Sequence, residues 1–221
     1  MMESKNSQLN KIVPEINKIT GTTIKETVII KNILKKERTY KEKLGYNFLD
    51  DYEEYKTVII KSDTGTGKST SIKHYIKKKG LKFISITSRK TMADEHFRIF
   101  KGFDIECQHY QHSKLENDKS TISTLESMKK IRNIIRMKDL KDYVLILDEI
   151  SSVIYHLITS PTITKIESVT EVMTNLQLLI KNCKMVVCVD ARICPSVFKL
   201  LDFWQSKKVY IHNTYKHNKD V

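Results

Sequence analysis

Short apolar runs rich in β-branched residues alternate with helix-length amphipathic segments from Lys56 onward. This alternation is typical of a parallel sheet whose strands are connected by helices. The predicted strands are Thr57–Lys61, Lys82–Thr87, Tyr143–Leu147, Met185–Val189 and Lys208–Ile211, with a weaker candidate at Asp104–His109. The predicted helices are Lys68–Lys79, Lys90–Phe100, Leu125–Met137, Ser151–Leu157, Ser168–Lys181 and Pro195–Gln205. We therefore expect an α/β fold with three layers and a parallel sheet in the middle.

The first 55 residues follow a different pattern. They contain a short apolar run at Thr27–Ile30 and a charged, helix-like stretch from Asn32 to Leu44, without recognisable chemistry. We assign residues 1–55 to an N-terminal extension of unknown role and residues 56–221 to one nucleotide-binding domain. No apolar run reaches the roughly 20 residues that a bilayer crossing needs, and the N-terminus lacks the apolar stretch of a signal peptide. These features predict a soluble, intracellular protein that does not contact membranes.

A phosphate-binding loop is the strongest chemical signal in the sequence. A predicted strand runs into a glycine-containing turn and Gly67-Lys68-Ser69, and a predicted helix follows. Glycine lets the backbone approach phosphate closely, and the N–H groups at the helix start then point at the anion. Lys68 is expected to reach the β- and γ-phosphates of ATP, and the Ser69 hydroxyl to bind Mg²⁺. The predicted nucleotide-binding residues are Ser62, Asp63, Thr64, Gly65, Thr66, Gly67, Lys68, Ser69 and Thr70.

The stricter form of this loop has glycine where this chain has Ser62. Helicase-type ATPases accept a small residue at that position, so Ser62 fits their variant. The alternative reading of the segment is a glycine-rich turn that binds nothing.

A pair of acids ends the apolar strand at Val144–Leu147. Asp148 is expected to hold Mg²⁺, usually through water, and Glu149 to polarise the attacking water. With Lys68, Glu149 is a predicted catalytic residue. In the alternative reading, Asp148 is only the N-cap of a helix.

The apolar strand Met185–Val189 also ends in charged residues, Asp190 and Arg192. In ATPases with a catalytic glutamate, such a strand inserts between the two strands that carry the phosphate loop and the acids. Asp190 or Arg192 could then sense the γ-phosphate. Alternatively, Asp190 only caps the helix that begins at Pro195.

The net charge of +13 favours a polyanionic partner, although a solvated lysine-rich surface has the same composition. The four cysteines form no CxxC pair. Cys183 and Cys188 flank an apolar strand, so we expect buried free thiols.

Together these segments resemble superfamily 2 helicases, and most of all the replication origin-binding-protein helicases of large DNA viruses and related elements. The resemblance lies in the order of six segments: Ile60–Ser69, Ile86–Ala93, Leu125–Met128, Leu145–Ile150, Val189–Arg192 and Tyr210–Tyr215. It covers residues 45–221 at most. One departure is Arg192, which replaces the second acid of the family's D-A-D segment.

The resemblance implies a RecA-like lobe that binds ATP and Mg²⁺ and acts in DNA replication. It also implies contacts to single-stranded or origin DNA through Ser88, Arg89, Lys90 and Ser127. The family has a second RecA-like lobe that supplies arginine fingers. We therefore expect the chain to be a truncated or partial protein, and a second RecA-like lobe on another chain is one way in which it could be completed. A viral member would act in the host cytoplasm or nucleus.

Two other functions are compatible with the sequence. One is an inactive nucleic-acid-binding remnant that keeps only a basic face. The other is a P-loop kinase, which would need a lid with arginines, whereas Arg192 is the only arginine after the acid pair.

Overall fold

The computed structural model describes residues 37–216, except 113, 137–138, 162, 164–168 and 205–206. Its strands are β1 (Glu37–Tyr40), β2 (Thr57–Lys61), β3 (Lys82–Thr87), β4 (Gln108–His109), β5 (Thr121–Thr124), β6 (Tyr143–Asp148), β7 (Met185–Asp190) and β8 (Lys208–Asn213). Its α-helices are α1 (Lys68–Lys79), α2 (Lys90–Lys101), α3 (Arg132–Ile135), α4 (Ile150–Thr159), α5 (Val169–Asn182) and α6 (Pro195–Trp204). Two 3₁₀ helices cover Phe48–Tyr52 and Leu125–Ile131.

All eight strands form one parallel sheet in the order β1-β8-β2-β7-β6-β3-β5-β4. β7 lies between β2 and β6, as the sequence predicted, and it pairs with both along its length. Because every strand points the same way, all carboxyl ends meet at one edge of the sheet. Ligands of open parallel sheets bind at this edge, near the point where the connections reverse direction.

The central strands β2, β3, β6 and β7 are buried on both faces, which explains their nearly continuous apolar runs. Successive residues of β2 alternate between two cores, with Ile59 in one and Val58 and Ile60 in the other. The core around Ile59 is covered by α3, α4, α5 and α6. The opposite core is covered by α1, α2 and the 3₁₀ helix Phe48–Tyr52. The predicted three-layer α/β fold is therefore confirmed.

The five main predicted strands are all present, and β6, β7 and β8 extend one or two residues further than predicted. The weak candidate at Asp104–His109 shrinks to the two residues of β4. β5 was not predicted. Its short Thr-Ile-Ser-Thr sequence gives little apolar signal, but all four of its residues are buried next to β3.

Two segments with helical predictions differ from the structure in the described residues. The segment predicted as a helix from Leu125 begins instead as the 3₁₀ helix Leu125–Ile131 and ends as the one-turn α3. The helix-like stretch from Asn32 to Leu44 contains β1, which forms because its backbone pairs with β8. The apolar run at Thr27–Ile30 lies outside the described residues.

Residues 37–55 pack on the same sheet as the predicted domain. β1 extends the sheet beyond β8, and the Leu44 N–H donates a 2.8 Å hydrogen bond to the carbonyl of Thr66 in the phosphate loop. The division of the chain at residue 55 stays a prediction. None of the helices in the described ranges has the length and apolar character needed to cross a bilayer.

The cysteines are free thiols. Cys183 and Cys188 are buried, as predicted, and burial raises the pKa of the Cys183 thiol to about 12. Both groups therefore act as small core residues rather than as nucleophiles.

Candidate functional site

A cleft of about 460 Å³ opens at the carboxyl ends of β2, β7 and β6. One wall is the loop from Thr64 to Thr70, and the opposite side holds Asp148, Glu149 and Asp190. Four residues of α2 form a further wall: Met92, Glu95, His96 and Ile99. The fold therefore brings the predicted phosphate loop and the predicted acid pair to one space, although more than seventy residues separate them in sequence.

The phosphate loop requires glycine at two positions. Gly65 has φ 74° and Gly67 has φ 95°, in the left-handed region that disfavours other residues. A β-carbon on Gly67 would lie 2.5 Å from the carbonyl oxygen of Leu44. The segment before β2 thus packs directly against the loop and leaves no room for a side chain there.

Side chains at the base of the loop hold its shape. The buried Ser62 hydroxyl donates to Thr66 Oγ1 at 2.6 Å, and Thr66 Oγ1 donates to the carbonyl of Asp63 at 2.9 Å. The Ser62 N–H donates to the carbonyl of Asp190 at 2.9 Å, which ties the loop to β7. Ser62 and Asp63 do not line the cleft; they support the residues that do.

The ammonium of Lys68 points back over the loop. It donates to the carbonyls of Ser62 at 2.7 Å and Asp63 at 2.6 Å. Burial lowers the pKa of Lys68, and the nearby carboxylates of Asp148, Asp63 and Asp190 act in the opposite direction. A half-buried cation at the start of a helix is suited to a phosphate ligand.

Asp148 ends β6, and both of its carboxylate oxygens are held. Oδ1 accepts the N–H of Glu149 at 2.9 Å, and Oδ2 accepts Nε2–H of His96 at 3.0 Å. The N-cap position of α4 is Glu149 rather than Asp148, so the capping interpretation of Asp148 is wrong. With the exposed Ser69 in the same cleft, Asp148 offers hard oxygen ligands of the kind Mg²⁺ prefers.

Mg²⁺ characteristically uses one or two protein oxygens together with phosphates and water. No group of three or more His, Cys, Asp and Glu side chains forms a metal cage in the part of the chain that the structure describes. The donor set in the cleft therefore fits a metal that arrives with a nucleotide.

Glu149 has an unusual backbone conformation. It is a non-glycine residue with φ 48° and ψ 52°, and its side chain is exposed toward the cleft. This conformation costs about 1–2 kcal/mol for an L-residue. Strained residues of this kind concentrate at functional sites, where the surrounding structure fixes them.

Asp190 connects β7 to α4. Its buried carboxylate accepts the N–H of Ser151 at 2.9 Å and the N–H of Arg192 at 2.9 Å. The first of these bonds caps α4, whereas the sequence suggested a cap for the helix at Pro195. Asp190 also lines the cleft, but the exposed Arg192 does not. A role for either residue in sensing the γ-phosphate stays a prediction.

The four predicted nucleic-acid contacts lie at the same sheet edge, on the side away from β2. Ser88, Arg89 and Lys90 follow β3, and Ser127 follows β5, whose last residue pairs with the last residue of β3. Arg89 and Lys90 are exposed. The Ser88 hydroxyl is buried and has no hydrogen-bond partner among the described residues, whereas Ser127 accepts a 3.2 Å bond from Thr124.

Sequence reasoning missed His96 and the segment Lys43–Leu44. His96 carries no motif, but Met92, Glu95, His96 and Ile99 share one helix face at i, i+3, i+4 and i+7 spacing. That spacing could have identified the face of α2 that lines the cleft. Lys43 lines the cleft from a region outside the predicted domain, and no sequence signal indicates this.

The fold is shared with helicase structures of low sequence identity. A hypothetical ATP-dependent RNA helicase from Sulfolobus tokodaii matches 94% of this chain and 57% of its own, with a TM-score of 0.51 and 12% identity. A DEAD box protein from Methanococcus jannaschii matches 75% of this chain and 47% of its own, with a TM-score of 0.50 and 15% identity.

A Dbp5 variant from S. cerevisiae, bound to Nup159, Gle1, IP6 and ADP, matches 93% of this chain and 51% of its own, with a TM-score of 0.51 and 11% identity. The chain thus spans about half the length of these solved structures. No curated protein sequence matches it.

A family model described as origin of replication binding protein matches residues 44–216. The match begins at Leu44, the residue that packs against Gly67, and ends three residues after β8. It covers most of the 221 residues, including the loop, the acid pair and the segments after β3 and β5. The chain belongs to the family of origin of replication binding proteins.

Proposed function

We propose that this chain is the ATP-binding first lobe of a DNA helicase that acts in DNA replication and hydrolyses ATP with Mg²⁺. The observation that carries the proposal is the shared cleft of about 460 Å³, which Lys68, Ser69, Asp148 and Glu149 line together. A family whose members bind replication origins supports the choice of DNA as the partner.

Each residue has a role that its geometry allows. The loop amides and Lys68 bind the phosphates, with the ammonium turning from the carbonyls of Ser62 and Asp63 toward phosphate oxygens. Ser69 and Asp148 hold Mg²⁺, which supplies charge neutralisation when it is bound with ATP. Glu149 orients the attacking water and accepts its proton on the carboxylate.

The segments after β3 and β5 form the proposed contact to single-stranded or origin DNA. Arg89 and Lys90 are exposed cations there, suited to phosphate contacts, and the buried Ser88 hydroxyl beneath them has no hydrogen-bond partner among the described residues. β3 pairs directly with β6, the strand of the acid pair, so bound DNA and bound ATP would lie on neighbouring strands. A second RecA-like lobe would complete the enzyme.

Substitution of Lys68 and Glu149 tests the proposal. Lys68→Ala should lower ATP affinity by about 100-fold, because the principal phosphate cation is lost. Glu149→Gln should keep ATP affinity but lower turnover by about 100-fold or more, the loss expected when a general base is removed. Binding is measured with a fluorescent ATP analogue, and turnover with and without single-stranded DNA.

The opposite results would favour the inactive nucleic-acid-binding remnant. These are salt-dependent DNA binding that neither ATP nor Lys68→Ala changes, together with no turnover. A Glu149→Gln variant with the turnover of the unchanged protein would contradict the assigned role of Glu149. Phosphate transfer to a nucleoside would instead indicate the kinase.

A further inference from the structure

His96 joins the acid of the cleft to the interior of the sheet. Its Nε2 lies 3.0 Å from Asp148 Oδ2, and its Nδ1 lies 2.8 Å from the hydroxyl of Ser85 on β3. A carboxylate can only accept, so Nε2 carries the proton and donates it to Asp148. The Ser85 hydroxyl, which is fully buried, holds the other ring nitrogen, so the imidazole is fixed at both ends.

The bridge leaves Asp148 with one orientation. The Glu149 N–H holds Oδ1, and His96 holds Oδ2, so rotation of the carboxylate would break a bond at either oxygen. Each oxygen can still accept further bonds, because a carboxylate oxygen has two lone-pair sites. The two hydrogen bonds therefore fix the orientation of the Asp148 carboxylate and leave lone-pair sites on it for a metal ion.

Packing alone does not account for a histidine at this position. α2 is already anchored to the core by Ala93 and Phe100, both buried. The His96 side chain is only 12% exposed, and it faces the cleft as well as the smaller gap beside Ile99 and Phe100. An apolar residue would fill this space without leaving a polar ring to satisfy.

We propose that His96 is a positioning residue that, backed by Ser85, orients Asp148 for Mg²⁺. Hydrogen-bond partners behind a metal ligand commonly contribute about 10–100-fold to metal affinity or activity. The inference rests on the proposed function, because it concerns the Mg²⁺ that accompanies ATP. It adds a residue outside the phosphate loop and acid pair.

The test measures binding rather than turnover. A fluorescent ATP analogue is titrated into the full chain at a series of Mg²⁺ concentrations and in EDTA. His96→Ala should raise the Mg²⁺ concentration for half-maximal binding about 10-fold or more, while affinity in EDTA stays within about twofold. Ser85→Ala, which removes only the group behind the ring, should raise it about threefold, because the ring then orients Asp148 less firmly.

Two variants serve as matched controls. His96→Gln can donate from its amide to Asp148 and accept from Ser85, so its Mg²⁺ dependence should return to within about threefold of the unchanged protein. His74→Ala removes a half-buried histidine of α1 that contacts Tyr46 and Phe103, and its Mg²⁺ dependence should not change.

The outcomes separate this inference from the proposed function. Unchanged Mg²⁺ dependence in His96→Ala would overturn the positioning role, as would an equal loss of affinity in EDTA, which indicates only damaged packing. If His96→Ala does not fold, unchanged Mg²⁺ dependence in Ser85→Ala decides against the role. Failure of the unchanged protein to bind the analogue under any condition would instead overturn the proposed function and this inference with it.

Discussion

The two halves of the sheet's carboxyl edge differ in how their polar groups are satisfied. Around the cleft at β2, β7 and β6, the side chains of Ser62, Lys68 and Asp148 already have partners within the chain. After β3 and β5, the buried Ser88 hydroxyl has none among the described residues, and Arg89 is exposed. The first half is preorganised, and the second presents exposed cations that have room to adjust to a ligand.

The phosphate loop is preorganised because two segments distant in sequence hold it in place. The phosphate loop is packed against Leu44 on one side and bonded to Asp190 on the other, so its shape is set by two separate segments. A site built in advance loses little conformational freedom on binding, which favours tight and specific recognition of a small ligand. An open polar surface suits a long polyanion, whose contacts are numerous and individually weak.

Gly67→Ala, in the preorganised half, should give the largest loss of stability, because it distorts the phosphate loop. The new β-carbon would meet the Leu44 carbonyl at 2.5 Å in a backbone of φ 95°. Overpacking and left-handed strain together should lower the free energy of unfolding by about 3 kcal/mol or more. Urea denaturation measures this loss, and ATP affinity should fall as well.

Gly80→Ala is the matched control for that change. Gly80 ends α1 at φ 59°, but a β-carbon there meets nothing within 4 Å. Only the strain of about 1 kcal/mol should remain, with ATP affinity unchanged. Equal destabilisation by the two substitutions would show that the contact with Leu44 does not shape the loop.

Ser62→Ala and Ser88→Ala should change stability in opposite directions. Ser62→Ala removes the bond to Thr66 and should lower the free energy of unfolding by about 1 kcal/mol. Ser88→Ala removes a buried hydroxyl without a described partner and should raise it by up to about 1 kcal/mol, because a desolvation penalty disappears. The same variant should weaken binding of single-stranded DNA.

Chemical denaturation and DNA titration test the serine pair side by side. A loss of stability in Ser88→Ala as large as in Ser62→Ala would mean that both halves of the edge are equally preorganised. The contrast between the halves would then be wrong.

Glu149→Gly should give the smallest effect, a gain in the free energy of unfolding of about 0.5–1 kcal/mol. Glycine adopts φ 48° without strain. The strain that is relieved exceeds the free-energy cost of the extra conformational entropy that glycine gives the unfolded chain. Turnover should be lost at the same time. Asp104→Gly, at φ 55° on an exposed turn, should give a similar gain with turnover unchanged. Destabilisation by Glu149→Gly alone would show that the glutamate stabilises the fold.

The sequence predicted the strands that are buried on both faces, because long β-branched runs have few alternatives. It did not predict β1 or β5. β1 has the sequence Glu-Arg-Thr-Tyr and becomes a strand only by pairing with β8. β5 is polar, and its burial depends on β3 and β4 on either side. Local propensity is a weak guide where a neighbouring strand supplies the hydrogen bonds.

The candidate site divides in the same way. The loop from Ser62 to Thr70 is contiguous, so its chemistry could be read from adjacent letters, and the predicted α1 has the observed bounds, Lys68–Lys79. A contiguous motif does not identify His96, Ser85 or Leu44, because each contributes to the site through contact with a residue elsewhere in the sequence. His96 is 52 positions from its partner Asp148.

The sequence alone determined the layered parallel sheet, the glycine turn and the order of lysine, serine and acids, because these depend on neighbouring residues and on burial pattern. Only the tertiary structure decided that the Leu44 backbone packs against Gly67 of the phosphate loop and that Asp190 caps α4. It also decided that His96 and Ser85 hold Asp148. Hydrogen bonds between distant segments have no periodicity along the chain, and they exist only once the sheet has brought the strand ends together.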